Sequence, residues 1–178
     1  MHYYNSTIYI PHTDKKDTCV GKVERWQAHK LGTLHQAVTV CLLYNGDIIL
    51  QHRKHPVFDG YYDLTCSSHP VYEKNEPESV IESAYATLLR EWGYKKTDIK
   101  SLKDAGFVVY RAKDKGSDFI EHETCHLVVG ATKTPPSLHR EYAYGFSLVN
   151  KRNLMNPLFP LSGALAPWVK KLFKLLSQ

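Results

Sequence analysis

The chain has 178 residues, 43% hydrophobic and 23% charged, with a net charge of +5. This balance suits one globular domain with a core of useful size, and no run approaches the roughly 20 apolar residues of a membrane span. The net charge favours an anionic partner such as a phosphate ester, and it does not demand nucleic acid, since the lysines and arginines are scattered rather than gathered in one stripe.

The N-terminus has no basic region followed by an apolar one, so no signal peptide is expected. Cys19, Cys41, Cys66 and Cys125 form no Cys-x-x-Cys pair. That argues against a zinc ribbon and a disulfide framework, and predicts a reducing, cytoplasmic setting. Ten histidines in this length make a metal site worth seeking.

Residues 3–10 read as an N-terminal strand that stops at Pro11, followed by a polar loop over 11–19. Residues 20–26 turn back into the body. Ala37–Tyr44 is a strand ending at Asn45-Gly46, a hairpin signal because a type I′ turn needs two residues with positive φ. Ile48–Arg53 is the returning strand, Pro56 and Gly60 bracket a loop, and Tyr61–Cys66 forms a short strand. Residues 71–77 are polar, with a helix cap expected near Asn75 or Glu76 and Pro77 in the first turn. Val80, Ile81, Ala84, Tyr85, Leu88, Leu89 and Trp92 recur at three- and four-residue spacing, which predicts an amphipathic helix ended by Gly93. Ala105–Ala112 and Asp118–Ala131 form a second hairpin, Phe146–Val149 a last strand, and Ser162–Leu176 a C-terminal helix. Hairpins around one long helix predict an α+β fold with a mixed or antiparallel sheet. The basic, amphipathic tail is expected to pack on its own domain rather than on a membrane.

The stretch Tyr61-Tyr62-Asp63-Leu64-Thr65-Cys66-Ser67-Ser68-His69-Pro70 sets a cysteine, two serines and a histidine side by side. Such residues suit a reactive site, or else a surface turn. Glu121 and Glu123 lie two apart on a strand and therefore share a face. Two adjacent carboxylates repel unless a cation or proton lies between them, so they mark either a solvated face or a metal site. His29, His35 and His69 complete a plausible set of mixed N/O ligands for zinc, manganese, iron or magnesium. Glu91 ends the central helix. Arg25, Arg53 and Lys54 are candidate anion binders, or ordinary surface charge.

Leu34-His35-x-Ala37, Leu50-Gln51-His52-Arg53, Thr65-Cys66-Ser67-Ser68-His69-Pro70, Glu91-Trp92-Gly93 and Glu121-His122-Glu123-Thr124-Cys125 resemble, in order, type 1 isopentenyl diphosphate isomerase. Pro167-Trp168 in the tail also fits. The resemblance implies a Nudix-like α/β/α sandwich, with residues 1–178 forming a single domain. It implies that His29, His35, His69, Glu121 and Glu123 hold one divalent ion (manganese, magnesium or zinc). Glu91 would help to bind a magnesium ion on the substrate diphosphate, and Arg25 and Arg53 would contact the diphosphate. Tyr110 would work with Glu123 in proton transfer. The implied reaction moves a double bond in a five-carbon prenyl diphosphate, adding a proton at one carbon and removing another from the opposite face. The implied partner is that small molecule, with no nucleic acid, and a monomer or weak dimer is expected.

The sequence departs from the family at three places. Ser67 stands where the family carries its catalytic cysteine, and Cys66, one residue earlier, should point to the other face if it lies on a strand. A serine hydroxyl is the weaker acid, and a lost acid or base typically costs about 10²–10⁴-fold in rate. The helix offers only Arg90 where arginines are expected. No tryptophan is expected over the substrate, its place falling near Gly163, with Phe159 as a substitute. The alternatives are a Nudix-type diphosphate hydrolase, disfavoured because the turn before Gly93 keeps only Glu91, and a non-catalytic binder of metal and prenyl diphosphate.

Overall fold

The computed structural model describes residues 3–177. A 3₁₀ turn at Tyr3–Asn5 precedes β1 (Tyr9–Thr13), β2 (Cys19–Glu24) and α1 (Arg25–Leu31). Two strands of the main sheet follow, β3 (His35–Tyr44) and β4 (Asp47–Arg53). After them come β5 (Tyr62–Asp63), β6 (Cys66–Ser68), β7 (Tyr72–Glu73) and β8 (Glu76–Pro77). The central helix is α2 (Val80–Trp92), and the long strands are β9 (Ile99–Lys113) and β10 (Ile120–Thr132). The chain ends with β11 (Ala143–Val149), α3 (Lys151–Leu154) and α4 (Val169–Phe173).

Nine strands form one mixed sheet along the path β11-β4-β3-β1-β2, with β10 parallel to β3 and antiparallel to β9. Alternation along β3 sorts its side chains onto two faces. Val38, Val40 and Leu42 pack with Ala84, Leu88 and Trp92 of α2. Ala37 and Cys41 join Leu127, Trp168 and the buried face of α4 in the second core. The result is a sheet covered by helices on both faces, as the α/β/α reading requires.

The Asn45-Gly46 turn has positive φ at both residues (51° and 91°), and α2 ends at Gly93 with φ 70°. Several expectations are corrected. Pro11 lies inside β1, and its missing N–H is tolerated because β1 meets β3 at the single pair His12↔His35. Residues 11–13 belong to β1 rather than a loop, residues 19–24 are strand where a loop end and a turn are expected, and α1 over 25–31 is a helix that no expectation covers. Residues 61–66 are not one strand, since β5 pairs with β4 whereas β6 pairs with β3. The cap of α2 is Ser79, which forms a capping box with Glu82, while Pro77 belongs to the small β7–β8 hairpin. The expected tail helix is helical only over Val169–Phe173, followed by a 3₁₀ turn over Lys174–Ser177. Val169, Leu172 and Phe173 are buried, so the tail packs on its own domain as expected. No helix among the described residues is long and apolar enough to cross a membrane.

Candidate active site

The parallel register places Glu123 of β10 beside His35 of β3, and Glu121, two residues earlier, lies on the same face. α1 supplies His29 and the segment after β6 supplies His69. One ligand atom from each of these five residues lies within 4.8 Å of all the others. All five side chains are buried.

The two upstream imidazoles are locked in one tautomer. His29 Nδ1–H donates to the Arg25 carbonyl and His35 Nδ1–H to the Thr33 carbonyl, each at 2.7 Å. Their Nε2 lone pairs therefore face the cluster, the arrangement metal-bound histidines use. His29 Nε2, His35 Nε2 and Glu121 Oε2 are buried without a hydrogen-bond partner. Such groups are costly unless something binds them. Two carboxylates and three imidazoles balance and coordinate a divalent cation, so the cluster could hold one. Burial and the neighbouring His29 and His35 rings push His69 well below its ordinary pKa, so it stays neutral. Burial raises the Glu123 carboxyl, but the His35 ring, whose Nε2 lies 3.6 Å from Oε1, and the Tyr110 hydroxyl outweigh it and hold the group at about 2.

The other predicted residues surround this cluster. Tyr110 of β9 pairs with Glu123 across the antiparallel ladder and donates its hydroxyl proton to Oε2. Burial and the Glu123 charge hold that phenol well above its usual range. Ser67 lies on β6 and its side chain faces two narrow clefts that share His55, Ser68 and His69. One cleft is bounded by Tyr3, Arg25, Arg90 and Glu91, the other by Arg53, Tyr110, Glu121, Glu123 and Trp168. Cys66 points the opposite way, fully buried in the core against α2, as strand alternation predicts.

Arg25 and Arg53 are both buried, which overturns the surface-charge alternative. Arg25 Nη2 donates to the carbonyls of Tyr3, Tyr4 and Ser6 at 3.1–3.4 Å, while its Nε and Nη1 have no partner. Arg53 donates to Asp63 at 2.6 Å and to the Val57 carbonyl at 3.3 Å, which leaves its Nε. Glu91 accepts from Gln51 at 3.0 Å and from Arg90 at 3.2 Å. Burial raises its carboxyl despite Arg90.

Two residues named in the sequence, Trp168 and Arg90, take cleft positions that were not assigned to them there. Trp168 lines the second cleft, stacked 5.8 Å from Tyr110 and 5.2 Å from the Arg53 guanidinium. The expectation of a cleft without tryptophan is thus wrong, and neither Gly163 nor Phe159 takes its place in the lining. The Pro167-Trp168 pair was the available signal. Arg90 bounds the first cleft, donating to Ser68 Oγ at 3.0 Å with Tyr3 stacked 3.9 Å from its guanidinium.

No protein-family model matches the chain. It is 35% identical over 126 residues to the isopentenyl-diphosphate Delta-isomerase of Jannaschia sp. (strain CCS1), covering 70% of this chain and 66% of that one. It is also 32% identical to the isopentenyl-diphosphate Delta-isomerase 2 of Aromatoleum aromaticum, covering 79% of this chain and 71% of that one. The chain belongs to the isopentenyl-diphosphate Delta-isomerase family. Solved structures supply the fold of this family member. A protein from Deinococcus radiodurans, DR0079, superposes with a TM-score of 0.68 at 11% identity, covering 93% of this chain and 97% of that one. A MutT Nudix hydrolase from Burkholderia pseudomallei gives 0.55 at 14% identity, covering 81% and 98%. The isomerase-family chain therefore has the Nudix fold.

Proposed function

We propose that this protein interconverts isopentenyl diphosphate and dimethylallyl diphosphate, with Ser67 as the acid–base group opposite Glu123 and Tyr110. The observation that carries the proposal is one cleft lined by Ser67, His69, Tyr110, Glu121, Glu123 and Trp168, beside a buried cluster of three histidines and two glutamates. Moving a double bond needs a proton donor and an acceptor on two sides of a flat hydrocarbon, away from water. Tyr110 and Glu123, joined by a hydrogen bond, hold and accept a proton from one strand pair. Ser67 reaches the cleft from another strand, β6. Trp168 offers an aromatic face to the developing positive charge.

His29, His35, His69, Glu121 and Glu123 would hold magnesium, manganese or zinc. When bound, the ion supplies positive charge that keeps both carboxylates ionised. Arg25, Arg53 and Glu91 would receive the diphosphate and its magnesium, Arg25 through the Nε and Nη1 that lack partners. The reading includes a cytoplasmic, single-domain protein that works as a monomer or weak dimer. Four free cysteines fit a reducing setting. Hydrolysis of a diphosphate is the poorer fit, because Thr87, Leu88, Leu89 and Arg90 precede Glu91, leaving the last turn of α2 one carboxylate.

The test is NMR in deuterated water with isopentenyl diphosphate, magnesium and manganese. The native protein should turn over slowly, Ser67→Cys faster by about 10²-fold or more, and Ser67→Ala should lose most of the native rate. No turnover by either the native protein or Ser67→Cys would overturn the proposal.

A further inference from the structure

Thr39 sits in the middle of β3 with no exposed surface, between Val38 and Val40. Its side chain shares the sheet face of Ala37 and Cys41, which are core residues. Valine would fill this place without a polar atom to satisfy. A buried hydroxyl needs partners, and two side chains provide them. Ser67 Oγ lies 2.7 Å from Thr39 Oγ1, and Cys125 Sγ lies 3.4 Å from it. Thr39 and Ser67 are direct partners across the β3–β6 ladder. Cys125 comes from β10 on the other side of β3, two residues before the register partner of Thr39, Leu127. The three groups form a row across three strands.

The proton count orients this row. Each of the three groups carries one proton, and sulfur is a weak acceptor whereas a hydroxyl oxygen is a good one. The Thr39 proton therefore goes to Ser67, and the Cys125 thiol gives its S–H to Thr39, since its other neighbour, the His126 carbonyl, lies 4.0 Å away. Ser67 accepts within the row and keeps its own proton for the cleft that holds Tyr110 and Glu123. Hydrogen bonds in such a chain polarise one another, which makes the terminal hydroxyl a better donor.

We infer that Thr39 is the positioning residue that aims the Ser67 hydroxyl into the cleft, with the Cys125 thiol holding Thr39 in that orientation. The inference rests on the reading of Ser67 as the acid–base group. Thr39 touches no substrate and acts through Ser67. Its loss changes how well the proton is delivered, not how well the diphosphate binds.

The experiment compares kcat and KM for isopentenyl diphosphate in the native protein, Thr39→Val, Thr39→Ser, Cys125→Ala and Ser67→Ala. Thr39→Val should lower kcat by about tenfold with KM unchanged, the effect of one lost hydrogen bond. Thr39→Ser restores the hydroxyl and should recover the native kcat to within about twofold. Cys125→Ala should lower kcat by about threefold, and decides the matter if Thr39→Val does not fold. Native kcat in Thr39→Val, a loss confined to KM, or a Thr39→Ser variant as slow as Thr39→Val overturns the inference. So does native kcat in Cys125→Ala where Thr39→Val does not fold. If Ser67→Ala is slow while Thr39→Val is normal, the inference fails alone. If Ser67→Ala matches the native rate, or the native protein does not react, the reading of Ser67 fails and the inference with it.

Discussion

One residue separates the cysteine of this chain from the position where its family uses one. On a strand that single step is decisive, because it moves a side chain from one face of the sheet to the other. Cys66 is fully buried against Val38, Val40 and Leu42, and burial pushes its thiol well above the usual range. Cys41, raised to about 12, and Cys125 are buried too, while Cys19 is exposed. Iodoacetamide at pH 8 should therefore label Cys19 in the native protein and leave the other three intact until denaturant is added. Ser67→Cys should gain one further reactive site. Rapid labelling of Cys66 in the folded native protein would place it on the cleft and remove the reason for assigning Ser67 a role. The direction of Cys66 was legible in the sequence, since period-two alternation needs no knowledge of the partners. The depth of Arg25 and Arg53 was not, because burial depends on the 3₁₀ turn at 3–5 and on Asp63 folding over them.

Local chemistry fixes the start of α2, and local substitutions should report on it. Ser79 accepts from the Glu82 backbone N–H at 3.2 Å, while Glu82 accepts from the Ser79 N–H at 2.9 Å. Ser79→Ala should cost about 1 kcal/mol, read as a lower urea midpoint with an unchanged slope. An unchanged midpoint would show that packing alone holds the helix end. The Ser-x-x-Glu pattern was present in the sequence, but Pro77 drew the expected cap to Asn75 or Glu76, three or four residues before Ser79. Long strands and the parallel β3–β10 pair were less legible, because register between distant segments is set by tertiary packing. A second local device ties the loop before β2 to the long hairpin. His126 bonds to Asp17 at 2.7 Å and to Asp104 at 2.8 Å, one through each ring nitrogen. Both bonds need a doubly protonated ring. Burial opposes that charge, but hydrogen bonding to Asp17 and the charge of Asp104 outweigh it, so His126 is held above its ordinary value. A raised folded pKa gives stability that is complete below the unfolded value, near about 6.5, and fades as pH rises through the folded value. The native urea midpoint should accordingly fall from about pH 6.5 upward, and His126→Ala should flatten that slope. Equal slopes in both proteins would sink the clasp.

At the scale of the whole molecule, the histidine–glutamate cluster joins segments that lie far apart in the chain. His29 comes from α1, His35 from the start of β3, His69 from beyond β6, and the glutamates from β10. Their ligand atoms meet within 4.8 Å only when those elements have docked. The unfolded chain has no such site, so a bound cation stabilises the folded state by mass action. At a free metal concentration 100 times Kd the gain is about 2.7 kcal/mol. For a domain of this size that raises Tm by roughly 5–11 °C. Manganese added to metal-free protein should produce such a shift, and a chelator should reverse it. Burial lowers the His29 pKa, but the charge of Glu121 outweighs it and holds the ring above its ordinary value; His29 must be neutral to bind, so protons compete and the shift should shrink as pH falls through that raised value. Glu121→Gln removes one carboxylate charge from the set and should cut the shift to less than half. A shift of native size in Glu121→Gln would place the cation elsewhere and separate the buried cluster from the metal altogether.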